Sequence, residues 1–183
     1  GPVLDLDLDV TSATIGTRSF GADAARAGAL GADWIDACQA ENVLACARCF
    51  PSTDVAPFRA GIDAGVAGIM VAHAALSAGD AAGRAASSSA PISAQLRDGL
   101  GFSGLIVTDA LDMRGGSAGH DEGESAVRAI EAGCDLLLAP RDPVRGVLAL
   151  EEAVASGRLD AGRLAASRER RDWWATWGRW TRD

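Results

Sequence analysis

Leucine and aspartate alternate at the start of the chain, with Leu4, Leu6, Leu8 and Val10 set against Asp5, Asp7 and Asp9. A period of two marks a strand with one apolar and one acidic face, here over residues 3–10. From Ala22 to Ala40 the spacing becomes helical, and Ala25, Ala29, Ala32 and Ile35 form the expected buried face. Short apolar runs then recur at residues 43–47, 66–72, 104–108 and 134–139, each of strand length and bounded by Gly or polar residues. Helical patterns separate them at residues 55–65, 92–100 and 124–132, and two more follow at 144–156 and 160–171. Strands alternating with helices predict an α/β chain of βα repeats, with about five parallel strands and flanking helices.

Two stretches fall outside that pattern. Residues 78–89 are nearly all Ala, Ser and Gly and read as a loop. Residues 173–183 hold four of the five Trp and read as a tail on a domain spanning residues 1–172. Trp faces can stack on sugars, but covering an exposed core edge or packing on another chain is their commoner use.

Composition narrows the function. The chain has 183 residues, 48% of them hydrophobic, no Tyr, and a net charge of −8. That length suits one domain with a full core, and the charge argues against nucleic acid or an anionic membrane as partner. No apolar run is long enough to span a bilayer. The opening is not a signal peptide, which defaults to the cytoplasm, although a first residue of Gly makes the chain look trimmed at its N-terminus. Cys38, Cys46, Cys49 and Cys134 are too sparse for a disulfide framework, and Cys46-x-x-Cys49 lacks the further ligands a zinc site needs. The Asp5-x-Asp7-x-Asp9 spacing fails the calcium-loop pattern, with Val10 where Gly is required and Gly16 where Glu is required. No metal and no cofactor is expected.

The stretch with most chemical content is Gly101–Met113, Gly-Phe-Ser-Gly-Leu-Ile-Val-Thr-Asp-Ala-Leu-Asp-Met. Asp109 stands where its buried strand runs out, and the C-terminal ends of parallel strands are where such folds place their chemistry. From the residues alone Asp109 is either a nucleophile or acid/base group, or a cap of the next loop or helix. The stretch resembles the nucleophile segment of family-3 glycoside hydrolases, in the β-N-acetylglucosaminidase branch. Further blocks resemble the family in order: Gly1–Asp5, Ile15–Gly21, Ala56–Ala60, Met70–His73 and Ala126–Leu138.

The resemblance implies a TIM barrel. Closing one needs eight strands, so this chain would hold an incomplete barrel whose open sheet invites a second copy to complete it. It implies hydrolysis of β-linked N-acetylhexosamine, of the cell-wall type, with Asp109 as nucleophile. Arg18, Arg48, Cys49, His73 and Met113 are the expected carbohydrate-binding positions. The family's Lys-His-Phe-Pro-Gly-His-Gly segment reads Arg48-Cys49-Phe50-Pro51-Ser52-Thr53-Asp54 here, and the loop bearing the acid/base His is shorter by roughly two dozen residues, on ordinary loop lengths. Asp54 and His120 are the candidate substitute acids, and Asp112 reads as a loop or cap residue. Impaired hydrolysis is the expectation, and a catalytically silent sugar-binding or interaction domain is the alternative.

Overall fold

A computed structural model describes residues 1–8, 16–50, 54–72, 92–112 and 121–180, with the backbone alone at 178–180. Its strands are β1 (Cys46–Phe50), β2 (Gly68–Val71), β3 (Leu105–Ala110) and β4 (Leu136–Leu138), in sheet order β1-β2-β3-β4. The helices are α1 (Ala24–Ala40), α2 (Ala56–Asp63), α3 (Glu122–Glu131), α4 (Pro143–Ala155) and α5 (Ala161–Trp180), with a π-helix at Ala94–Gly99. A parallel sheet whose order follows the sequence, with helices flanking it, is the α/β class that the alternating pattern predicts.

Of the first expected strand, residues 3–8 are described and pair only through single bridges, while residues 9 and 10 lie outside the described residues. Val3 pairs in parallel with Arg48 and with Ser19, and Arg48 N–H donates to Pro2 O at 2.9 Å. Alternation sets which side chains turn inward, so Leu4 and Leu6 are buried, but a strand also needs a neighbour along its length. Leu4 N–H still donates to Arg48 O at 3.4 Å; beyond it Asp7 N–H donates to Gly21 O, and Leu8 is 58% exposed.

By internal contacts the chain divides into two units, Gly1–Met70 with Ala175–Asp183, and Val71–Trp174. In the first, Asp23 accepts the Arg26 N–H and starts α1 two residues later than the spacing suggests. The buried face of α1 is Ala27, Gly28, Gly31 and Ile35, while Ala25 and Ala29 are exposed. The glycines decide this rotation. A methyl at Gly28 would come within 3.1 Å of Ala60 Cβ, and one at Gly31 would strike Leu4 Cδ2. Backbone that close to α2 and Leu4 buries more surface than the Ala stripe could. The Gln39 side chain fixes the other end, donating to Gly65 O and accepting from Ala67 N–H.

The second unit is organised around a buried carboxylate, Asp135, at the start of β4. Its Oδ2 accepts from Ile106 N–H at 2.9 Å and from Arg97 at 2.7 Å; its Oδ1 accepts from Ser167 at 2.8 Å, from Arg170 at 2.8 Å and from Arg163 at 3.3 Å. Arg97 also donates to Phe102 O and Gly104 O. One carboxylate thus joins the π-helix, β3, β4 and α5. Burial alone would raise the Asp135 pKa; donors led by Arg170 and Ile106 N–H outweigh it and hold the carboxyl below its usual range. The neighbouring Cys134 thiol is fully buried, and burial pushes it up to about 12. Val127, Ile130, Ala153 and Leu159 form the apolar core under α3 and α4.

Gly133 leads into this strand with φ +103°, and a methyl there would collide with Ser93 Cβ and Oγ. Gly133→Ala therefore meets both left-handed strain and a clash beside backbone. Urea unfolding of this variant is expected to show a loss of about 3 kcal/mol with an unchanged slope.

Candidate functional site

Thr108 is fully buried on β3, and its Oγ1 accepts the Leu138 N–H at 2.9 Å. Two residues past Asp109, Leu111 N–H donates to Leu138 O at 2.9 Å. Asp109 therefore sits between two bonds that fix the end of β3 to the end of β4. The register breaks between them: Val107 faces Leu136 and Ala110 faces Leu138, so β3 spends one more residue than β4 over this span. An extra residue in one strand is a bulge, and bulges turn a side chain out of the regular alternation. The Asp109 carboxylate is half-buried, and its Oδ1 accepts the Ala110 N–H at 2.9 Å. A half-buried carboxylate at the end of a parallel strand stands where folds of this class place their chemistry. Asp112 beyond it is exposed, and its carbonyl oxygen accepts from Arg141 at 2.7 Å.

In the first unit, Arg48 and Cys49 are the third and fourth of the five residues of β1 and both are half-buried. Cys49 has φ +74°, a left-handed conformation that a non-glycine residue holds only where its surroundings enforce it. Arg48 Nε is buried without an acceptor, although the residue makes other contacts. Arg18 ends a 3-10 turn, Gly16–Arg18, and its side chain is exposed. Ser19 holds that turn by donating to Asp5 O at 2.9 Å. Since Val3 bridges both Ser19 and Arg48, the Arg18 turn and the end of β1 flank one residue. These two expected binding positions are thus brought to the same neighbourhood of the unit.

Asp54 uses its Oδ1 to accept the Ala56 N–H at 2.8 Å, ahead of α2. That is the bond of an Asx turn, made with one of the two carboxyl oxygens. His73, Met113 and His120 lie outside the described residues. None of the four cysteines forms a disulfide; Cys38, Cys46 and Cys49 are half-buried and Cys134 is fully enclosed. Among the described residues no three His, Cys, Asp or Glu side chains are grouped as metal ligands. Sequence reasoning missed Thr108 as the residue that pins Asp109, and missed Asp135 altogether.

The family model for the glycosyl hydrolase family 3 N terminal domain matches residues 52–171. A beta-N-acetylglucosaminidase/beta-glucosidase of Cellulomonas fimi is 33% identical over 171 aligned positions, covering 75% of this chain and 30% of that one. A beta-hexosaminidase of Thioalkalivibrio sulfidiphilus is 37% identical over 99 positions, covering 54% of this chain and 28% of that one. The chain thus spans less than a third of the length of these two relatives. The Cellulomonas alignment has more positions than this chain contributes to it, so that relative carries residues with no counterpart here. Among solved structures, a glycoside hydrolase family 3 beta-N-acetylglucosaminidase from Paenibacillus sp. matches at 29% identity with a TM-score of 0.85, covering 98% of this chain and 39% of that one. A family-3 glycosyl hydrolase from Mycobacterium smegmatis matches at 28% identity with a TM-score of 0.76, covering 93% and 60%.

Proposed function

We propose that this chain, which belongs to glycosyl hydrolase family 3, carries the nucleophile half of a retaining β-N-acetylhexosaminidase. The observation that carries this reading is the bulged end of β3, where Thr108 and Leu111 bond to Leu138 on either side of Asp109. In the reaction, an Asp109 carboxylate oxygen attacks the anomeric carbon and the glycosidic bond breaks toward its oxygen. Water then attacks the same carbon, releases the sugar and returns the carboxylate. Arg18 and Arg48 offer guanidinium forks for sugar hydroxyls, and Cys49, His73 and Met113 are the further positions that the family resemblance assigns to sugar binding.

Proton transfer is the weak step. The segment after Phe50 has no His, and Asp54 has already committed one oxygen to Ala56 N–H. Asp54, through its other oxygen, and His120 are the candidate donors. Without a donor, the leaving oxygen must depart as an anion, so the rate tracks leaving-group acidity. Nitrophenyl β-N-acetylglucosaminide is expected to be hydrolysed while an alkyl glycoside or a disaccharide is turned over at least roughly 100-fold more slowly, the size of a general-acid contribution. Equal rates on both would show a working acid and overturn the impaired reading. The shortened segment also favours a second reading, a silent sugar-binding remnant, for which neither substrate turns over although sugar still binds.

A further inference from the structure

Helix α4 has two unlike faces. Gly146 and Ala153 are buried, and Ala149, Leu150 and Val154 pack on the core under α3. On the opposite face Val144, Val147 and Leu148 are 66%, 53% and 58% exposed. Their spacing of three and four residues places them in one stripe along the helix. A lone exposed apolar residue needs no explanation, but three in a row on one helix face do.

The charges beside the stripe are ordered. Arg145 and Glu152 stand on the same flank, one near each end of the helix, seven residues apart and thus two turns. Arg145 is 60% exposed, and among the described residues its one ion pair is with Asp121, at 3.5 Å, a weak contact. Glu152 is exposed and has no ion pair among the described residues. When two copies of one helix pack antiparallel about a two-fold axis, equal flanks meet, and the N-terminal half of each lies beside the C-terminal half of the other. That arrangement sets Arg145 of each copy against Glu152 of the other, and brings Glu151 toward the positive end of the opposing helix. A parallel two-fold pairing would instead turn this flank toward the opposite flank of the other copy, where Arg145 and Glu152 find no partner in each other. The flank also borders a groove of about 450 Å³ between α3 and α4, with Val127, Leu148 and Ala149 among its lining, which leaves room for side chains of a second copy.

We propose that the exposed face of α4 is a homodimer interface, in which a second copy of this chain packs its own α4 antiparallel, with Val144, Val147 and Leu148 at the centre and paired Arg145–Glu152 contacts at the rim. This differs from a dimer that completes the sheet, because the contact runs through a helix face and leaves the strand edges alone. It stands independently of the hydrolase reading.

Sedimentation velocity on the whole chain across low to high micromolar concentrations tests it. Wild type is expected to reach twice the monomer mass, and Leu148→Glu to remain a monomer with its circular dichroism and melting unchanged. Arg145→Glu and Glu152→Arg are each expected to weaken the dimer about tenfold or more, and the double reversal to restore it. A wild type that stays monomeric at the highest concentration overturns the proposal and leaves the face to another segment or partner. A Leu148→Glu variant that still dimerises overturns it by placing the interface elsewhere, and a double reversal that fails to restore the dimer overturns the antiparallel pairing.

Discussion

Replacing Asp135 by Ala is expected to cost about 3–5 kcal/mol, the loss typical of removing one partner from a buried ion pair. The substitution leaves Arg97, Arg163 and Arg170 without their shared acceptor, and strands the buried Ile106 N–H. Since a domain's whole stability is about 5–15 kcal/mol, the variant should be partly unfolded at ambient temperature or melt far below wild type. Asp135→Asn keeps the shape and some acceptor capacity, so it should fall between the two. The sign of the pH dependence follows from the depressed carboxyl. Stabilisation is fully present above the unfolded Asp value of about 4 and is lost as pH falls through the folded value. Urea titrations at neutral pH and at successive acid values should therefore show wild type losing stability below about pH 4, with Asp135→Asn showing a shallower acid loss. A wild-type stability that does not change across that window would remove Asp135 from its central place.

Replacing Asp109 by Ala is expected to bring nitrophenyl β-N-acetylglucosaminide hydrolysis down to the uncatalysed background, with the fold retained. The two effects separate because Asp109 accepts from its own neighbour's N–H, whereas Asp135 ties Arg97, Ile106, Ser167 and Arg170 together. An activated aryl leaving group departs with little protonation, so this substrate reports the nucleophile even where the acid is weak. Activity that survives in Asp109→Ala would assign the turnover to another group. Thr108→Val is the companion measurement: it removes the acceptor for Leu138 N–H, and should lower kcat more than it raises KM because it lets the bulge relax.

Much of this was readable in the chain before any coordinates. Gly-bounded apolar runs marked the strands because a strand buried on both faces has no polar alternation to obscure it. Asp109 could be placed at a strand end from Leu105–Thr108 alone. Its bulge could not, because register belongs to a pair of strands and Leu136–Leu138 lies far along the sequence. The buried face of α1 was missed for a different reason. Hydrophobic periodicity gives Gly28 and Gly31 no weight, yet the room they leave sets how α1 packs. Asp135 left a signal that went unused. A lone carboxylate inside Cys134–Leu138 must find donors or stay neutral, but its partners, 38 residues before it and up to 35 after it, share no local pattern with it.

The bulge has a consequence for how this site can change over generations. Strand alternation makes the facing of a side chain depend on residue number, so removing or adding one residue between Val107 and Ala110 would send the carboxylate of position 109 to the opposite side of the sheet. Substitutions in this span alter one side chain at a time and leave its neighbours aimed as before. A single-codon deletion re-aims every side chain up to the next pairing with β4. Lineages that keep the chemistry should therefore vary in letters here while holding the length of the span fixed, and an insertion or deletion at this point would mark where a lineage had given the chemistry up.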